Sequence, residues 1–150
     1  LKTYSIFRVK KEIAMYYVHQ GDLLHRFFSD CAEHPNDPIL QKQFNYVTHS
    51  MPIDLLQEQM NVHQHHQPLI SNENKHIIAQ ADHVPVHVNL LDRQIIFQCD
   101  MLHEAETSLF PLLQSLQPFL FVSGLNHDNY GWMSSPYYFK LDYPKQILYS

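Results

Sequence analysis

Apolar positions recur with a period of two near the start of the chain and again in its second half, and with a helical period in between. Thr3 to Val9, where Tyr4, Ile6, Phe7 and Val9 mix β-branched and aromatic side chains, reads as a first strand. A long helix is expected from Lys10 to Phe28. On a wheel of about 100° per residue its apolar arc approaches half the circumference, wider than the stripe a surface helix usually buries. Tyr16, Leu23, Leu24 and Phe27 fall toward one edge of the arc and are read as core, Ile13 lies near its centre, and Tyr17 lies toward the other edge. An arc this wide fits two situations. Either it is half core and half docking surface, or the helix is sandwiched between two parts of its own fold.

His34-Pro-Asn-Asp-Pro38 is a loop, because no helix interior tolerates two prolines. A second helix follows from Ile39 to about Thr48 with Leu40, Phe44 and Val47 at helical spacing. A third, with Ile53, Leu56 and Met60 as its apolar side, is expected to be capped by Ser50 and opened by Pro52 and Asp54. Gln64 to Lys75 is polar and reads as a loop. The period then becomes two: His76 to Ala81 is one strand, and Val84, Val86, Val88 and Leu90 mark another. Gln94 to Cys99 forms its hairpin partner across Leu91-Asp92-Arg93. Asp100 is the expected cap of a fourth helix over Met101 to Leu116, in which Pro111 calls for a kink or a late start. Phe119 to Val122 reads as a buried strand, Asn126 to Asn129 as a turn, and Tyr130-Gly131-Trp132 as a returning strand. Pro136 to Ser150 is aromatic but aperiodic, and reads as a less ordered C-terminal tail.

The sum, β-ααα-βββ-α-ββ, implies an α+β fold: a single domain over residues 1–150 with a mixed, largely antiparallel sheet packed with about four helices. With 150 residues the chain is long enough to bury about 70% of its unfolded surface in one core. No run approaches the ~18 apolar residues of a membrane span, and Arg8, Lys10, Lys11 and Glu12 interrupt any signal peptide. Cys31 and Cys99 are too few and too distant for a disulfide framework, so a reduced, cytoplasmic protein is expected. The net charge of −5, with ten dispersed basic residues, argues against direct nucleic-acid binding, which needs a concentrated basic footprint.

Chemistry for catalysis or metal binding is thin. Of the twelve histidines, His63, His65 and His66 make the most tempting cluster, yet two ligands at i and i+3 fall short of a zinc site. His83 and His87 would share a strand face about 13 Å apart, too far to chelate one ion. Glu104 and Glu106, beside His103, would diverge by about 200° on a helix and so cannot converge as an acid–base pair. Cys99 falls in a strand, where an inert thiol is usual. Gly21, Gly124 and Gly131 are the only glycines, which excludes a glycine-rich phosphate loop. No enzyme, cofactor, metal or small-molecule substrate is indicated. A His-rich metal-binding protein and another cytosolic protein-interaction module are the readings these residues leave open.

Four ordered blocks resemble one family. They are Tyr4 to Phe28 with Lys10-Lys11-Glu12-Ile13-Ala14 leading into Tyr16-Tyr17, and Gln43-Phe44-Asn45-Tyr46-Val47-Thr48 followed by Met51-Pro52-Ile53. Glu104-Ala105-Glu106-Thr107 is the third, and Phe119 to Val122 with Tyr130-Gly131-Trp132 the fourth. Together they resemble the sporulation inhibitor of replication proteins, the SirA family, over most of Lys2 to Pro136. That resemblance implies a regulatory protein of spore-forming Firmicutes that binds the N-terminal domain of the replication initiator DnaA and restrains initiation on entry to sporulation. It also implies a protein-binding site at Ile13, Tyr17 and Gln43, of which Ile13 departs from the family's Phe.

Overall fold

The computed structural model describes residues 1–64, 69–70, 75–81, 84–116 and 118–133, and the side chains of these apart from 60–84. The elements run in the order β1 (Lys2–Arg8), α1 (Lys11–Tyr16), α2 (Gly21–Glu33), α3 (Pro38–Val47), α4 (Ile53–Gln64) and β2 (Leu69–Ile70). After these come β3 (Lys75–Ala81), β4 (Val84–Leu90), β5 (Ile95–Cys99), α5 (Leu102–Ser108), a 3₁₀ segment (Phe110–Leu116), β6 (Leu120–Gly124) and β7 (Tyr130–Trp132). The strands form one seven-stranded sheet in the order β2-β3-β4-β5-β1-β6-β7, antiparallel at every pairing. The fold is α+β, as the alternation of periods indicates.

Strand β1 lies inside the sheet and shows how two faces are built from one alternating sequence. Tyr4 and Ile6 point to one face, and Phe7 and the following Val9 to the other. The first face carries the larger core. There Tyr4 and Ile6 join Val86, Val88 and Leu90 of β4, Ile95 and Phe97 of β5, and Leu120 and Val122 of β6. Leu56 of α4, Ala105 of α5 and Leu113 of the 3₁₀ segment cover them. On the second face, Phe7, Val9, Phe121 and Trp132 meet Ala14 of α1 and Leu24 and Phe28 of α2. Aromatic rings lock that layer. Phe7 stacks on Phe28 with centroids 3.8 Å apart, Phe44 of α3 meets both edge-on, and Phe121 packs edge-on against Trp132 at 5.1 Å.

Several boundaries differ from those the sequence suggests. The expected helix Lys10–Phe28 is two helices. α1 ends as the Tyr17 N–H donates to the Ile13 carbonyl, the chain turns through Val18 to Gln20, and α2 starts at Gly21. Gly21 and the β-branched Val18 both weaken helix continuation, and the turn carries Val18 into the interior at 1% exposure. Asp37, not the loop in general, starts α3: its Oδ1 accepts from the Ile39 and Leu40 N–H groups, with Pro38 in the first turn. α4 begins at Ile53, so Ser50 stands too early to cap it. The helix expected to be capped by Asp100 is instead capped at Met101, where Glu104 Oε1 accepts from the Asp100 and Met101 N–H groups at 3.0 Å each. That helix stops at Ser108, before Pro111, and a 3₁₀ segment takes over. Within the expected Gln64–Lys75 loop lies β2, paired with β3. The expected Pro136–Ser150 tail lies outside the described residues.

Candidate functional site

α1 is short but divides its side chains cleanly. Ala14 and Val18 are buried against the protein, whereas Ile13 and Tyr17, each one residue earlier, are half-buried and turned toward α3. On α2, Leu24 and Phe28 anchor the core while Leu23 and Phe27 face outward along the same wall. On α3, Phe44 and Val47 pack inward, leaving Ile39, Lys42, Gln43 and Tyr46 exposed at i, i+3, i+4 and i+7. These three helices enclose a groove of about 900 Å³ lined by Ile13 and Tyr17 from α1 and its cap, Leu23, Leu24 and Phe27 from α2, and the outer face of α3.

Ile13, Tyr17 and Gln43 therefore converge on one groove, although they come from different helices. The lip is unusually apolar for a surface. Tyr16 is 73% exposed, its ring edge-on to Tyr17 at 4.8 Å, and Ile39 and Tyr46 are 68% and 66% exposed. Contiguous exposed apolar surface of this kind marks interaction sites. The Lys10 ammonium lies over the Tyr46 ring, 4.9 Å from its centroid.

Two readings of the wheel are corrected. Tyr16 and Leu23 are exposed rather than core, because the turn after Tyr17 breaks the angular count that related one half of the segment to the other. Phe27 is half-buried at the groove, and Leu24 is core as expected. The wide arc is thus divided between core and open groove. Sequence reasoning missed Ile39, Lys42 and Tyr46 as groove residues, although their spacing about Gln43 describes the second face of α3.

Two walls of the groove are joined to the sheet. The Lys10 N–H donates to the Val47 carbonyl at 2.9 Å, Val9 forms a bridge with Thr48, and the His49 N–H donates to the Arg8 carbonyl at 2.7 Å. The end of β1 is therefore stitched to the end of α3. Arg93, in the β4–β5 turn, caps α3 by donating from Nη1 to the Thr48 carbonyl at 2.8 Å.

Other candidate chemistry stays dispersed. Burial pushes the Cys31 and Cys99 thiols up to about 11, with Asp30 and Asp37 beside Cys31 and Glu104 and Asp100 beside Cys99 adding to it, so both are poor nucleophiles near neutrality. Glu104 is engaged as a helix cap. Glu106, one residue beyond Ala105, has its carboxyl raised by burial. Among the described residues no group of three His, Cys, Asp or Glu side chains is placed to hold a metal ion. His65, His66 and His83 lie outside the described residues, as does the side chain of His63. No helix among the described residues is long and apolar enough to cross a membrane.

The family model for sporulation inhibitor of replication protein SirA matches residues 2–137, a span that includes the sheet and every residue lining the groove. The chain belongs to the SirA family. A relative, the sporulation inhibitor of replication protein SirA of Bacillus subtilis (strain 168), is 25% identical over 147 residues, covering 87% of this chain and 92% of the relative. SirA proteins carry the name of an inhibitor of replication, a regulatory role.

Proposed function

We propose that this SirA-family chain inhibits the initiation of chromosomal replication by binding the N-terminal domain of the initiator DnaA in the groove between α1, α2 and α3. The observation that carries this reading is the meeting of Ile13, Tyr17 and Gln43 in one predominantly apolar groove. The mode of action is occupancy: a covered face of the initiator is withheld from self-assembly or from recruiting other factors. Tyr17 offers a rigid ring with a polar tip, the kind of residue that dominates small interfaces. Gln43, exposed one turn before Val47, supplies an amide that donates and accepts beside it. Ile13 keeps an apolar contact but presents less area than an aromatic ring.

Isothermal titration calorimetry of the purified chain with the DnaA N-terminal domain tests this. Tyr17→Ala is expected to weaken binding by about 1–3 kcal/mol while leaving the melting temperature nearly unchanged, since the side chain is only half-buried. Gln43→Ala should weaken it less, by about 0.5–1.5 kcal/mol. Wild-type affinity in both folded variants would remove the groove from the interface.

A further inference from the structure

Among the residues that line the groove, one is charged: Lys42. It lies one helical turn before Tyr46 on α3, and the Lys10 ammonium sits over the Tyr46 ring at 4.9 Å. Two cations therefore flank a tyrosine that is two-thirds exposed, in a chain whose net charge is −5. No carboxylate lines this groove among the described residues.

A partner that fills the groove strips water from Lys42 as it covers Ile39 and Tyr46. An apolar or cationic segment laid over that ammonium leaves it without a counter-charge, and burying an unpaired charge is costly. A carboxylate at the same place restores the lost hydration with a charge-assisted hydrogen bond. The lysine stems cost little, because they add apolar area beside Tyr46.

We infer that Lys42, with Lys10 and Tyr46, forms a basic lip that selects a docking segment apolar at its centre and acidic where it lies against α3. This inference rests on the assignment of the groove to the DnaA N-terminal domain and adds the chemistry by which the partner surface is chosen. Lys42 is a specificity residue: it speeds encounter with an acidic surface and rejects a basic one.

Surface plasmon resonance against immobilised DnaA N-terminal domain, at low and at physiological salt, reads the effect. Lys42→Glu is expected to reduce affinity about tenfold or more at low salt, mostly through a slower association rate, and to remove much of the salt dependence. Lys42→Gln should fall between that variant and wild type. Lys2→Glu makes the same change in net charge at the exposed far end of β1, and should bind as wild type does. Thermal melts of each variant confirm folding, which an exposed lysine does not control. Wild-type binding that Lys42→Glu leaves unchanged, or that Lys2→Glu weakens equally, would overturn the basic lip alone. A wild-type chain that fails to bind the domain would overturn the partner assignment as well.

Discussion

His25 sits where α2 meets the β6–β7 hairpin, with Nδ1 2.8 Å from the Ser123 hydroxyl oxygen and its ring stacked on Tyr130 at 4.9 Å. Burial pulls its pKa below the ordinary 6.5, and His127 acts in the same direction, while Asp128 and a hydrogen bond to the His127 backbone oppose it. The folded state thus takes up this proton less readily than the unfolded chain. Above 6.5 both states are neutral at His25 and the contact contributes in full. As pH falls below that value the unfolded chain is protonated first, and stability declines. His25→Gln keeps hydrogen-bonding capacity but cannot titrate, so it should flatten the decline in stability below pH 6.5 in urea titrations. An identical slope in wild type and variant would assign the effect to other groups, such as His49, whose pKa burial and the neighbouring Arg8 also lower. Nothing in the sequence distinguishes His25 from the other eleven histidines, because its partners lie about a hundred positions away at Ser123 and Tyr130.

At the scale of elements, the strands were the legible part. Val86, Val88 and Leu90 alternate because only one face of β4 meets the core, and the register of the β4–β5 hairpin follows from that alternation. The first helix was not legible in the same way. The apolar positions on either side of His19-Gln20-Gly21-Asp22 fall on one arc of a helical wheel, so the period alone does not reveal the turn that buries Val18, although Gly21 marks its place. Caps were half legible: Asp37 and Glu104 are residue types that suit their positions, but several nearby carboxylates and hydroxyls suit them equally. Arg93 is a cap that periodicity cannot show, since it reaches α3 from a hairpin 45 residues away. Arg93→Ala leaves the Thr48 carbonyl short of a charged donor and should destabilise the fold by about 1–3 kcal/mol. Amide hydrogen exchange should quicken first in the last turn of α3, and an unchanged exchange pattern would show that the cap is dispensable.

Over the whole molecule the sheet separates two jobs. Leu56, fully buried on the α4–α5 side, belongs to the core on that face and does not line the groove. Leu56→Ala is therefore expected to cost about 2–5 kcal/mol of stability while leaving affinity per folded molecule unchanged. Paired chemical denaturation and calorimetry check both halves of that statement, and weakened binding by fully folded variant would contradict the separation. The α+β architecture follows from patterning because helices and strands differ in period. The site does not: Ile13, Tyr17 and Gln43 lie on two different elements, and only their resemblance to the SirA blocks related them before the helices were seen to enclose one groove. Both walls of that groove are tied to the end of β1, α1 by direct succession and α3 through the bridge from Val9 to Thr48. Strand β1 is consequently a gauge. It fixes where the two walls stand relative to one another, and on the binding proposed above a partner side chain would be measured against that spacing. On the binding proposed above, Ile13 presents less bulk at one wall than the Phe implied there by the resemblance, and the groove is expected to admit a larger side chain.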